Sequence, residues 1–441
     1  MAHIDIRPCP EQSPAVSRTR FLRQAGLAAA GAALGSALPD VLASGAAHAA
    51  ISFAKGELNV TYWSNVAPKQ KLLAVLNGFA KKYSMTVKYT PLPPVFGDVV
   101  QKLTTYLSSG YTGLDVLWLD DFMTASFSTA KWLEPLETQL PRETVAAVVP
   151  ALIKLSTYNG HLYRLPASLD VVIFFYRKDL FEKEGLSTPR TWTDLVQAGK
   201  RLTKGGRYGI GIAGKNGNTE LFNEMSYWMG QAGADPLHMT TKGARKALQF
   251  MYDMINTYKI APPDTVSADY STLAAGFQDG RFAMWPVWDG FIGTFQANTK
   301  FWRHSKVAIA VPPRGPVNNS TLSACWGWSI SKFSKNKDMA TTFIQYAASP
   351  SSEDTLALTG STPARVAELS NPRVTRVLHQ APYLALYAKE HLLHSRAITA
   401  QAQRISDATE AVINRYLNKQ ISLDRAVTEA QQRVDQIQRL G

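Results

Sequence analysis

Asp115-Val116-Leu117-Trp118-Leu119-Asp120-Asp121 is a short apolar run closed by two adjacent carboxylates. It is too brief for a helix and has the composition of a buried strand. Two further strands lie upstream, Asn59-Val60-Thr61-Tyr62-Trp63 and Met85-Thr86-Val87-Lys88-Tyr89, both rich in β-branched and aromatic residues. Between the three, Leu72, Leu76, Phe79 and Tyr83 recur at helical spacing, as do Val99, Leu103 and Leu107. Each set puts one apolar stripe on a helix. The order βαβαβ predicts a parallel α/β sheet. In such sheets ligands bind beyond the carboxyl ends of strands. Trp63-Ser64-Asn65 and Asp120-Asp121 occupy two of those ends.

Outward from this core, the 441 residues exceed one ordinary domain and suit two or more lobes. Val171-Val172-Ile173-Phe174-Phe175-Tyr176 is a continuous apolar segment long enough to cross between lobes. Val307-Ala308-Ile309-Ala310-Val311, followed by Pro312-Pro313, is a second candidate crossing. The chain between them is mainly helical in pattern, and from residue 380 onward it reads as almost entirely helical. Past the N-terminal segment there is no low-complexity tract and no repeat.

The formal charge is +13. A basic surface suits anionic partners, but the Lys and Arg residues are scattered and read as a solvated face. No basic-aromatic motif of a nucleic-acid binder is present. Cys9 and Cys325 are the two cysteines, and no Cys/His spacing resembles a metal site. No cofactor is expected. Residues 1–49 read as an export signal peptide. Arg18, Arg20 and Arg23 precede an Ala/Gly-rich apolar run, and Ala47-His48-Ala49 offers a small-x-small cleavage pattern. Ser17-Arg18-Thr19-Arg20-Phe21-Leu22 is twin-arginine-like, with Thr19 where a second Arg would stand. General secretion is the alternative route. With Cys9 removed, the mature chain would keep one cysteine and no internal disulfide.

Several segments together resemble the family 1 extracellular solute-binding proteins. Tyr158-Asn159-Gly160-His161-Leu162-Tyr163-Arg164-Leu165-Pro166 is similar to that family's Tyr-x-Gly-x-x-Tyr-x-x-Pro segment. Phe175 to Phe181, Gly185-Leu186 and Pro189-Arg190-Thr191-Trp192 resemble its strand, helix and Pro-x-Thr-Trp helix start. Thr191 is the expected N-cap, with Asp194 in the first turn. Trp132-Leu133-Glu134-Pro135-Leu136, Phe277 to Met284, Gly327 to Ser331 and Thr362-Pro363-Ala364 follow in the family's order. Leu114 departs from the family by replacing the usual Pro before Asp115.

The resemblance implies a two-lobed periplasmic-binding-protein fold (type II-like) with hinge-crossing segments and a helical C-terminus. Carried over, the first lobe holds residues 50–170 plus 311–350, and the second 171–310 plus 351–441. It also implies a monomeric periplasmic receptor without enzymatic activity. Such a receptor delivers a small carbohydrate to the membrane subunits of an ABC importer. An anionic polyol-phosphate ester is the alternative ligand, and a secreted carbohydrate-active enzyme the remote alternative.

Sugars need hydrogen-bond partners for hydroxyls and aromatic platforms for C–H faces. Interleaved polar and aromatic residues at strand ends are therefore the candidate ligand contacts. In the first lobe these are Trp63, Asn65, Asp120, Asp121, Trp326 and Gly327. Asp120 and Asp121 also fit a helix N-cap and first turn. Asp170, in the crossing segment, fits either a ligand contact or a hinge ion pair. In the second lobe the candidates are Asn223, Trp285, Trp288, Asp289 and Arg365, with Trp228 a weaker one. Trp132 and Trp192 are expected to pack rather than bind.

Overall fold

The computed structural model describes residues 56–63, 69–93, 96–304, 307–357, 362–378, 380–396 and 398–440. The expected export segment and Asn65 lie outside them. Thirteen strands are described: β1 (Glu57–Trp63), β2 (Thr86–Leu92), β3 (Val116–Asp120), β4 (Thr157–Tyr158), β5 (His161–Leu162), β6 (Leu165–Pro166), β7 (Asp170–Arg177), β8 (Tyr208–Ile210), β9 (Phe282–Trp288), β10 (Val307–Ala310), β11 (Thr321–Ala324), β12 (Trp326–Ile330) and β13 (Leu393–Ser395).

The first sheet runs β2-β1-β3-β12-β6. Helices α1 (Lys69–Tyr83) and α2 (Phe96–Ser108) connect β1, β2 and β3, which pair in parallel as expected. The strand order reverses beside β1, so the carboxyl ends of β1 and β3 flank a switch point. Tyr62, Trp118 and Trp328 interlock beneath it, with Trp118 4.4 Å from Trp328 and 4.5 Å from Tyr62. Each such ring buries roughly 150–250 Å². At about 25 cal/mol per Å² this is on the order of 4–6 kcal/mol apiece before entropy is counted. Gly327 is needed for packing: a Cβ there would run into the Leu165 carbonyl oxygen of β6.

The second sheet runs β13-β11-β7-β9-β8, with β10 also paired to β7. β7 is central and its six inner residues are all buried. This explains a continuous apolar run where a half-exposed strand would alternate. The helix Trp192–Leu202 starts with a full capping box, Thr191 with Asp194, as its Pro-x-Thr-Trp start predicts.

Two elements depart from the expected organisation. Val307–Ala310 is not a crossing: it pairs antiparallel with β7 inside the second sheet. A wholly apolar strand satisfies either role in sequence, and the pattern cannot separate them. The second crossing is instead at Cys325, the single residue between β11 and β12. Residues 311–324 accordingly lie with the second sheet, where Arg314 bonds Arg190 and Val317 bonds Gln231. Conversely, the helix Pro350–Ala357 packs on α1, and Thr362, Ala364 and Val366 bond Leu169, Val149 and Ala147. Residues 350–357 and 362–366 therefore join the first unit, and the chain rejoins the second at β13. Two helices, Ala402–Leu417 and Leu423–Arg439, finish the chain. The short β13, two helical turns before them, was absent from the expected C-terminal helical run.

Candidate ligand site between the sheets

Both crossings and the carboxyl end of β3 converge on one buried polar cluster. Asp120 ends β3, and helix α3 (Asp121–Thr129) follows at once. Phe122 N–H donates to Asp120 Oδ1 at 2.9 Å, so Asp120 is the N-cap. The Cys325 N–H donates to Asp121 Oδ1 at 3.0 Å. The cap and first-turn reading of this pair applies, and both carboxylates are also buried charges with a partner. That partner is Arg396, directly after β13. Its Nη2 donates to Asp120 Oδ1 at 2.6 Å and to Asp121 Oδ1 at 2.7 Å. All three side chains are at most 5 % exposed, so the pairing spans both sheets in a desolvated setting.

Asp170 starts β7 and is half-buried. Ser168 Oγ–H donates to its Oδ2 at 3.0 Å, and Trp326 N–H donates to Ser168 Oγ at 3.1 Å. Asp289 follows β9 and is buried. Its Oδ1 accepts from Val171 N–H at 3.2 Å and its Oδ2 from Thr362 Oγ–H at 2.6 Å. Thr362 belongs to the first unit, so Asp289 provides a second link between the sheets. Burial, then Asp289, hold the Asp170 carboxyl well above the usual range. Burial also lifts Asp289 to about 6, and lifts Asp120 to about 6 against the opposing pull of Arg396.

Aromatic rings enclose this network. The Arg396 guanidinium lies 5.1 Å from the Phe122 ring centre and 5.9 Å from that of Trp288. Trp326 is edge-on to Phe96 at 6.2 Å and stacks over Trp118 at 6.2 Å. Asn223 and Trp288 meet at the phenol of Tyr270. Beneath the strand ends, the fully buried Arg164 donates to the Cys325 carbonyl, to the Leu119 carbonyl at 3.1 Å and to Ser156 Oγ at 2.9 Å. It thereby fixes the backbone just before Asp120 and Trp326.

The structure thus brings together Asp120, Asp121, Asp170, Asp289, Trp288, Trp326 and, behind Trp288, Asn223. It separates others. Trp285 is fully buried against Phe277, Phe291 and Phe295, because β9 turns alternate side chains to opposite faces. Gly327 packs between strands. Arg365 lies in the first unit beside Glu353 and bonds the Ala348 carbonyl at 3.4 Å. Trp228 is core, its Nε1 bonded to Glu224 Oε1 at 2.7 Å. Trp63 ends β1 opposite Leu92. Arg396, Ser168 and Thr362 were not among the expected residues. Arg396 had one available signal: a lone Arg after Leu393-His394-Ser395, which breaks the helical pattern.

A groove of about 440 Å³ also lies on the second unit, lined by Trp192, Phe250, Lys242, Lys246 and Leu423 among others. Helices rather than strand ends form it, and no buried charge faces it.

With this geometry in view, comparisons with known proteins define the class. Residues 62–354 match the model for bacterial extracellular solute-binding proteins. The match spans well over half the chain, and the chain belongs to that family. It is 24% identical over 369 residues to a probable amino-acid ABC transporter periplasmic-binding protein of Sinorhizobium fredii, covering 79% of this chain and 81% of that one. It is 29% identical over 265 residues to the mannitol-binding protein of Pseudomonas aeruginosa, covering 56% and 59%. Among solved structures, maltose-bound MalE3 of T. maritima superposes with a TM-score of 0.77 at 24% identity, covering 87% of this chain and all of that one. The two-lobed fold expected from the sequence is thereby established.

Proposed function

We propose that this protein captures a small carbohydrate or polyol between its two sheets and delivers it to an ABC importer. The carrying observation is the cluster of Asp120, Asp121, Asp170 and Arg396 beside Trp288 and Trp326, contributed by both units. Carboxylates bond hydroxyls through charge-assisted hydrogen bonds, and the indoles offer faces to C–H surfaces. The mannitol-binding relative and the maltose-bound neighbour support the same ligand class. The lobes in this proposal are the described residues of 56–167 with 326–390, and of 170–324 with 393–440, hinged at Ala167–Asp170 and Cys325. The protein acts as an exported periplasmic monomer and performs no chemistry on its ligand.

A thermal-shift screen of the exported protein against sugars and polyols tests this. A ligand at about 100 times its dissociation constant adds ~2.7 kcal/mol of stability. No shift across monosaccharides, oligosaccharides and alditols would reject the proposal. Release of a product from any of them would reject the non-catalytic part alone. Mass spectrometry of the exported chain tests processing, with an N-terminus near Ala50 expected.

A further inference from the structure

Carboxylates outnumber cations around Asp170, although the whole chain carries +13. Facing it are Asp289 from the end of β9, Asp120 and Asp121 from β3 and α3, and the phenol of Tyr62 from β1. One cation, Arg396 after β13, serves both Asp120 and Asp121 through a single nitrogen. Arg164 lies behind the strands and donates mainly to backbone carbonyls. On the far side of Trp288, the carboxyls of Glu220 and Glu224 lie behind Tyr270, raised by burial to about 7 and about 8.

Two polar groups here are left without partners beside the acids and are available to meet a ligand. The Tyr62 hydroxyl belongs to a residue only 1 % exposed, and it has no hydrogen-bond partner. Nε of Arg396 is equally enclosed and also has none. Buried polar atoms without partners are rare unless something else meets them.

We propose that this site, taken as the carbohydrate seat proposed above, sorts polyhydroxylated ligands by charge. It excludes those bearing phosphate or carboxylate, and it binds most tightly one bearing an ammonium group, an amino sugar or amino alditol, set against Asp170. Like charges repel strongly where water is excluded, and an opposite charge is favoured by the same physics. This sets aside the anionic polyol-phosphate ester that the basic composition left open.

The proposal carries a proton signature. Burial, then Asp289, hold the Asp170 carboxyl well above the usual range in the free protein, which favours its protonated form. An ammonium ligand turns it into a carboxylate, and its proton passes to the buffer. A neutral ligand leaves the proton in place.

Titration calorimetry of the exported protein tests this with two matched sets. One is D-glucitol, 1-amino-1-deoxy-D-glucitol and D-glucitol 6-phosphate; the other is D-glucose, D-glucosamine and D-glucose 6-phosphate. In the set that binds, the amine should exceed its neutral parent by about tenfold, and the phosphate should fall about a hundredfold below it. Repeating the amine titration in buffers of different ionisation enthalpy should show more proton release than for the neutral parent. Asp170→Asn should erase the amine's advantage, and the proton count needs no variant should that one fail to fold. A phosphate that binds as well as the neutral parent, an amine that binds worse, or an amine that releases no proton would overturn the charge rule while leaving carbohydrate capture intact. Binding of none of the six, together with no shift across the sugar and alditol screen, would overturn both.

Discussion

Two half-buried tryptophans sit in the second unit, each with a cation nearby, and their surroundings differ. Trp192 stacks flat on Phe250 at 4.1 Å and donates its Nε1–H to Gln231 at 2.7 Å. The lysines lining its groove belong to an open surface depression. Trp288 instead lies under Arg396, whose guanidinium is buried and paired to carboxylates of the other unit. An aromatic beside a basic residue is therefore no guide to a site. Desolvated charge held from both units is the distinguishing feature, because it persists only where its partners are fixed.

The largest effect that could break this contrast comes from Arg396. Arg396→Met leaves two buried carboxylates without their cation and should cost about 3–5 kcal/mol of stability in urea unfolding. Adding Asp120→Asn should recover part of it. A loss no larger than an exposed ion pair gives, below ~1 kcal/mol, would mean that the bridge is open to water.

Next comes the pair of tryptophans themselves. Trp192→Ala should lower stability by about 2–3 kcal/mol, less than for a fully buried ring, and leave the dissociation constant unchanged. Trp288→Ala should weaken binding at least about tenfold. Melting without ligand and calorimetry with it separate the two effects. Reversal of the two outcomes would transfer the site to the groove.

A smaller effect sharpens the electrostatics. Asp289 titrates at about 6 in the folded chain against an ordinary 3.8. The folded state therefore holds this proton more firmly than the unfolded one. The stability it contributes is full below the ordinary value and is lost as pH rises through about 6. Asp289→Asn should accordingly gain on the wild type by on the order of 1 kcal/mol between pH 4.5 and 7.5. Parallel stability profiles for the two proteins would contradict the burial of this charge.

Much of the fold was legible because local patterns were unambiguous. The βαβαβ start and the capped helix at Thr191 each rest on a short-range signal of period or cap chemistry. Asp120, Asp121 and Asp170 were legible for the same reason, being carboxylates at the ends of apolar strands. The return crossing was not, since β10 and β11 are both short buried strands paired to β7, and only the passage of β11 through Cys325 into β12 of the other sheet marks it. Nor was Arg396, whose role depends on a partner 275 residues away. Trp285 was misplaced because strand alternation sends it and Trp288 to different faces, and three residues of sequence do not reveal which face is the cleft.

The central claim is that ligand sits between the two sheets, against Asp170 and Trp288. A crystal structure with the tightest polyol or sugar from the thermal-shift screen tests it most directly. Ligand oxygens or nitrogens should lie within hydrogen-bond distance of Asp170, with a C–H face on Trp288. Ligand in the Trp192 groove, with the cluster around Arg396 untouched, would contradict it.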